Sequence, residues 1–395
     1  MHILYLAGAE KVPGNNGGSV HVWEVSRELK KLGYEVTILT HRYQGEEKHQ
    51  VTEGIRIMRY NLKFKNIVIP LVNIVKLFFI IKKFKVNLII ERYKALGGAG
   101  AILSYFFKVP LIFEVNGPQS EEAIFRHNIK NNLLKFLIKG WSILQFKMAT
   151  KIISPLSTVV PVFALNKTTI VTWGANTDIL SKSLIKSDRT KKIKKQYNLQ
   201  DNIKVVFLGT FQPWHGVREL IEIAARVISK NNKIIFLLIG DGKLKPWVEE
   251  EIKAQNLIKN VLLLGEQKYE DIPYFLSLCD IGIAPFQAKY YPPLLRYGFF
   301  WSPLKIFEYM ASGLAVITSD YDPLREIVVD NKAGFVVDSD CIEDFSQKIL
   351  QLAETPALIT KLGINASDSV RRYYSWKMHV SQLNNVIGNI MVKGN

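Results

Sequence analysis

Short runs rich in Val, Ile and Leu alternate along the chain with segments whose apolar residues recur every three to four positions. That alternation is the pattern of parallel sheets covered by crossover helices. The runs predict strands at Ile3 to Leu6, Val36 to Thr40, Leu88 to Ile90, Leu111 to Glu114 and Lys151 to Ile153. A second series follows at Lys204 to Gly209, Ile234 to Gly240, Val261 to Leu264, Ile281 to Pro285 and Ala315 to Thr318. After the first strand the stripe Val22, Val25, Leu29 and Leu32 predicts a helix.

Two Rossmann-like α/β domains are therefore expected, and 395 residues exceed what one core usually supports. Ser181 to Asn198 is rich in Lys and Ser without a long apolar run. It reads as a linker, 181–198, between domains at 1–180 and 199–375. The amphipathic segment 376–395 is expected to form a helix that packs back on the first domain.

Composition narrows the setting. Cys279 and Cys341 have no disulfide or zinc spacing, which suits a reducing, cytoplasmic compartment. The opening Met1-His2-Ile3-Leu4-Tyr5-Leu6 has no basic leader or cleavage site, so no signal peptide is expected. The longest apolar run, Ile67 to Ile81, is interrupted by Pro70, Asn73 and Lys76 and is short of the ~20 residues that span a bilayer.

The net charge of +17 calls for anionic company. Between Asn61 and Lys94, Lys63, Lys65, Lys76, Lys82, Lys83, Lys85, Arg92 and Lys94 alternate with apolar residues against the single acid Glu91. Asn131 to Lys151 repeats this with Lys135, Lys139, Lys147 and Lys151 among Leu133, Phe136, Leu137, Trp141, Leu144 and Phe146. Two readings stand: peripheral contact with the inner face of the cell membrane, or core helices with solvated basic faces. No nucleic-acid motif is present, so no nucleic-acid partner is expected.

Two loops carry candidate chemistry. The first βα turn ends in Gly17-Gly18-Ser19 at a helix start, where free N–H groups favour phosphate; it also reads as a tight turn. Its spacing is not that of a dinucleotide fingerprint. In Ser302 to Gly313, Ser302 is expected to cap and Pro303 to open a helix with Leu304, Phe307, Met310 and Ala311 buried. The amides of Leu304 and Lys305 and the Lys305 ammonium could hold a diphosphate, and Glu308 the ribose of the same nucleotide. The alternative is a surface pair of Lys305 and Glu308.

These segments, with Glu114-Val115-Asn116-Gly117-Pro118, Trp173-Gly174-Ala175-Asn176-Thr177-Asp178, Gly209 to Gly216, Gly240-Asp241-Gly242, Arg325-Glu326-Ile327 and Tyr374-Ser375-Trp376, occur in one order. Together they resemble the family 4 glycosyltransferases, retaining enzymes of the GT-B fold, over nearly the whole chain. The resemblance implies two Rossmann-like domains with parallel sheets facing a central cleft. It implies a nucleotide-sugar donor, UDP- or GDP-linked, held mainly by the second domain, and a glycan or polyprenyl-linked acceptor on the first. The activity implied is a hexosyltransferase of cell-surface polysaccharide assembly without metal or other cofactor.

The chain departs from the family at four positions. The first of two paired glutamates falls at Phe300, leaving Glu308 alone, and an arginine and a lysine that meet the diphosphate fall at Thr210 and His215. Lys305 and His215 are expected to replace those cations, with Arg296 a further candidate. Asn116 stands where many relatives carry a histidine. It can orient a hydroxyl but cannot act as a base, and Glu121 or Glu122 are the nearest acids, unless they form only a solvated first helical turn. Asp338-Ser339-Asp340 is read as a loop and not as a metal site, and the histidines have no ligand spacing. The missing Glu, Arg and Lys keep open a non-catalytic nucleotide-binding scaffold, and the fold a sugar-nucleotide epimerase.

Overall fold

The structure, a computed structural model, describes residues 1–60, 69–199 and 202–393. It divides into two compact units, Met1–Trp173 with Phe300–Ser302 and Trp376–Asn395, and Gly174–Phe299 with Pro303–Ser375.

The first unit begins β1 (His2–Gly8), α1 (Gly17–Lys31), β2 (Glu35–His41), β3 (His49–Thr52), β4 (Ile55–Tyr60) and α2 (Ile69–Phe84). It continues with β5 (Leu88–Arg92), α3 (Ala99–Phe107), β6 (Leu111–Glu114), α4 (Gln119–Arg126), α5 (Asn132–Met148), β7 (Lys151–Ser154) and β8 (Thr168–Ile170). Its eight strands lie in the order β3-β4-β2-β1-β5-β6-β7-β8, parallel except for the β3–β4 hairpin.

The second unit holds α6 (Asp188–Gln196), β9 (Lys204–Leu208), α7 (Val217–Lys230), β10 (Ile235–Ile239), α8 (Lys245–Ala254), β11 (Val261–Gly265) and α9 (Ile272–Leu278). It ends with β12 (Ile281–Ala284), α10 (Pro292–Tyr297), α11 (Leu304–Ala311), β13 (Ala315–Ser319), β14 (Gly334–Val337), α12 (Ile342–Glu354) and α13 (Pro356–Tyr373). The six-stranded sheet is β11-β10-β9-β12-β13-β14. Both sheets are Rossmann-like, with buried apolar strands, β1 in the first and β12 in the second, at their centres.

All ten expected strands form. β3, β4, β8 and β14 were not foreseen: His49–Thr52 has no apolar run, and it pairs only because Glu53 and Gly54 turn the chain at positive φ. In α1 Val22, Val25 and Leu29 are buried, but Leu32, which follows the last turn, is 54% exposed.

The stretch 181–198 is not a linker. Lys182–Lys186 forms a 3-10 turn and Asp188–Gln196 a helix capped by Ser187, both packed on α9 within the second unit. The anchors are Thr190 and Ile193, both buried, which a count of Lys and Ser overlooks. The first unit instead gives way to the second at Trp173, where Ala175 pairs with the returning strand at Ser375. The final helix, α14 (Trp376–Lys393), packs on α1 in the first unit.

Ile67 and Val68 of the long apolar run, with Lys63 and Lys65, lie outside the described residues. No helix among the described residues is long and apolar enough to cross a membrane. α5 is not the expected core helix with a solvated basic face, because its leucine stripe is exposed while Ser142 and Gln145 are buried.

Candidate active site

In the second unit the site is built at the carboxyl ends of β9 and β12, where α11 begins. α11 is apolar nearly all round, with Ile306, Phe307, Tyr309, Met310 and Ala311 buried. Its Tyr309 ring lies where a Cβ at Gly282 would clash, and its hydroxyl receives the Leu208 N–H at 2.7 Å. Those contacts seat the helix start beside Gly209.

Ser302 does not cap this helix. Its Oγ instead accepts from the Trp173 N–H at 3.0 Å within the first unit, and Pro303 takes the N-cap position without a side-chain bond. The first amides, Leu304 and Lys305, thus have no capping side chain and stand at the positive end of the helix dipole.

Lys305 is half-buried as a residue, but its Nζ is out of reach of solvent and has no hydrogen-bond partner among the described residues. The ammonium lies 4.4 Å from the Phe207 ring centre and 5.1 Å from that of Phe286. Burial pulls its pKa down to about 7 against the favourable field of Glu308. Glu308 is itself buried, so the alternative of a surface Lys305–Glu308 pair is excluded. A buried cation without an acceptor is costly unless an anion meets it.

His215 closes a 3-10 turn, Pro213–His215, and its Nδ1 donates to the Thr210 carbonyl at 2.7 Å. That bond fixes the tautomer and leaves Nε2 as an acceptor. Burial and the Lys305 charge push its pKa down to about 3. His215 is therefore neutral and does not supply the expected second cation. Thr210 is exposed beside it, with its Oγ1 3.1 Å from His215 Nδ1. Arg296 sits on α10, not in a loop; it is exposed and lies over its neighbour Tyr297 at 5.3 Å.

The first unit gathers Asn116 and Gly18 around a charged network that sequence reasoning missed, with Gly17 opening α1 just before Gly18. Glu114 accepts from the Tyr5 hydroxyl and the Asn116 amide, with Arg92 at 3.3 Å and His21 Nδ1 at 3.1 Å. Burial would raise the Glu114 pKa, but His21 and Arg92 outweigh it and hold the carboxyl far below its ordinary range. Asn116 Oδ1 accepts from Trp173 Nε1 at 2.9 Å, so both ends of its amide are engaged.

Arg92 also approaches Glu10 at 3.9 Å, as does Lys94 at 3.7 Å. Glu91 is buried, takes the Gly98 and Ala101 N–H groups, and is raised to about 7 by burial. Glu91 and Arg92 therefore leave the basic surface expected of this stretch, while Lys94 stays partly exposed and is paired with Glu10. The signal available was a Glu-Arg pair ending a wholly apolar strand.

At Gly18 a Cβ would fall 2.6 Å from the Glu10 carboxylate carbon. The anion standing at the α1 start is thus the protein's own, and Gly18 makes room for it. Glu122 is buried on α4, accepting from Gln119 and lying 3.5 Å from Arg126, so it does not belong to a solvated turn. Phe300, fully buried, packs against Gly117 at the same turn. In the second unit Asp340 is held by Lys289 at 2.7 Å, and Asp338 accepts from the Asp340 N–H.

A family model described as Glycosyl transferases group 1 matches residues 188–369, and one described as Glycosyltransferase Family 4 matches 15–160. An uncharacterized glycosyltransferase of Methanocaldococcus jannaschii is 26% identical over 374 residues, 92% of either chain. A phosphatidylinositol N-acetylglucosaminyltransferase subunit of Saccharomyces cerevisiae is 22% identical over 381 residues, 92% of this chain and 78% of its own. A solved Anabaena protein in complex with UDP and glucose shares the fold, at a TM-score of 0.74 and 16% identity over 98% of this chain and 100% of the other.

Proposed function

We propose that this chain, which belongs to the group 1 and family 4 glycosyltransferases and has two Rossmann-like domains, transfers a sugar from a nucleoside diphosphate with retention at the anomeric carbon. The observation that carries this reading is the buried Lys305 ammonium without a partner at the α11 start. A UDP- or GDP-linked sugar is the donor. Its diphosphate takes the Leu304 and Lys305 amides and the ammonium, and Glu308 accepts from the ribose hydroxyls.

Cleavage of the sugar–phosphate bond puts negative charge on the diphosphate and positive character on the sugar ring. Donors already fixed at α11 lower that barrier because they need no rearrangement as charge develops. Thr210 and neutral His215 meet hydroxyl groups of the donor. Asn116 has no proton-accepting role. For a retaining outcome the departing phosphate oxygen takes the acceptor hydroxyl's proton, so no protein base is required. Charge is met by Lys305 and the helix, and the reading includes no metal.

The acceptor is a glycan or polyprenyl-linked molecule on the first domain, at the cytoplasmic face of a membrane. The basic and apolar helices of that domain support it, as does the phosphatidylinositol named for the Saccharomyces relative. One observation favours a second reading, a nucleotide-binding scaffold: the fully buried ring of Phe300 stands at the position where the family resemblance implies a glutamate.

Calorimetric titration of UDP and GDP, followed by product analysis with the matching nucleotide sugars and a lipid extract, separates these. Tight binding with an α-linked product supports transfer, binding without turnover supports the scaffold, and conversion of the donor alone supports an epimerase. Unchanged nucleotide affinity in Lys305→Met removes the basis of the donor site.

A further inference from the structure

α5 is turned the wrong way round for a helix that faces water. Leu133, Phe136, Leu137, Ile143 and Leu144 recur every three to four residues, which places them along one side. That side is exposed, with Phe136 71% accessible. The opposite side enters the fold with Ile138 and Phe146 but also with Ser142, bonded to Tyr93, and Gln145, which donates to the Ala95 carbonyl. A surface helix ordinarily buries its apolar stripe and solvates its polar one.

α3 packs between α5 and α2. It ends in Tyr105 and Phe106, 77% and 72% exposed, while Phe107 turns inward onto Phe78 of α2 at 5.0 Å. On α2, Phe79 is exposed as well. The three helices carry six lysines, Lys76, Lys82, Lys83, Lys135, Lys139 and Lys147, and no Asp or Glu. Lys139 reaches Glu121 of α4 at 2.9 Å, and Lys82 lies over the Phe78 ring at 4.6 Å.

We infer that the exposed α3–α5 face, flanked by α2, seats the protein on an anionic lipid bilayer, with Tyr105, Phe106, Leu133, Phe136 and Leu137 entering the headgroup boundary. Apolar side chains on a rigid helix supply insertion, and lysines on the same helices can extend toward lipid phosphates. A protein partner would need complementary acids set around a shaped apolar centre. Flexible lysine stems beside aromatic and leucine tips suit a fluid, uniformly anionic surface instead. For its purpose the proposal rests on the reading of a lipid-linked acceptor. Vesicle binding is measured without donor or acceptor, so either reading can fail alone.

The test is co-sedimentation of the full chain with vesicles of phosphatidylcholine alone and of phosphatidylcholine with phosphatidylglycerol. The wild type is expected to bind only the anionic vesicles. Phe136→Ser with Leu137→Ser, and separately Tyr105→Ser with Phe106→Ser, should weaken binding at least tenfold while the melting temperature by circular dichroism is unchanged. Lys82→Glu, Lys83→Glu and Lys147→Glu together should abolish the preference for anionic lipid. No binding by the wild type, or wild-type binding by both apolar variants, overturns the proposal. So does a dimer in sedimentation velocity that the same variants convert to monomer, since the face would then belong to a second copy.

Discussion

Gly209 leaves space for Lys305: a Cβ on Gly209, which has φ +142, would fall 2.7 Å from the Lys305 Nζ. The glycine ends β9 and the lysine begins α11, so the ammonium reaches the strand end only because this position has no side chain.

Gly209→Ala is therefore expected to act on ligand binding through a contact it does not itself make. Displacing Nζ should lower UDP affinity at least tenfold by calorimetry. The strained backbone should cost about 1–3 kcal/mol in urea unfolding. Unchanged affinity would show that Lys305 does not meet the diphosphate.

Lys305 also predicts a pH dependence. Its pKa falls from 10.5 to about 7 on burial, so between those values the unfolded chain holds a proton that the folded chain has lost. The free protein accordingly gains stability from this group as pH rises from about 7 to 10.5, and loses it as pH falls. A bound diphosphate favours the charged form, so binding takes up a proton. UDP affinity should be flat below about pH 7 and decline by up to about tenfold per unit above it. Titrations in buffers of different ionisation enthalpy check the proton count.

Glu308→Ala should separate nucleotide from phosphate recognition. Loss of a charged hydrogen bond to ribose is worth about 1.5–3 kcal/mol, or roughly 10–150-fold in UDP affinity. Pyrophosphate, which has no ribose, should lose much less, only what the Lys305 charge loses with the field of Glu308. Equal losses for both ligands would place Glu308 elsewhere.

Glu114→Gln is expected to destabilise the chain by about 3–5 kcal/mol in urea unfolding at pH 7, because it takes from the buried Arg92 its nearer carboxylate and leaves only Glu10 at 3.9 Å. Since the native carboxyl is held below its ordinary range, its contribution is present above pH ~4.5 and is lost as pH falls toward the folded pKa. The difference between variant and wild type should narrow in acid.

Periodicity and apolar runs by themselves determined ten parallel strands, two α/β domains and the position of the α11 helix, because buried parallel strands must be continuously apolar. They missed the β3–β4 hairpin, whose outer strand is polar and exists only through its partner. They also took 181–198 for a linker, since two buried residues, Thr190 and Ile193, anchor a helix that is otherwise lysine-rich.

Composition marked Lys305 and Glu308 as chemistry but equally allowed a surface pair. Only the tertiary structure decided that the ammonium is buried against Phe207 and Phe286, because burial depends on residues about 100 and 20 positions away. It likewise decided that His215 is neutral, that Glu10 takes the place by Gly18, and that α5 turns its leucines outward. A helical stripe shows that a helix has two faces. Which face meets the core is set by what the neighbouring strands and helices offer it, here the Tyr93 hydroxyl and the Ala95 carbonyl that receive Ser142 and Gln145.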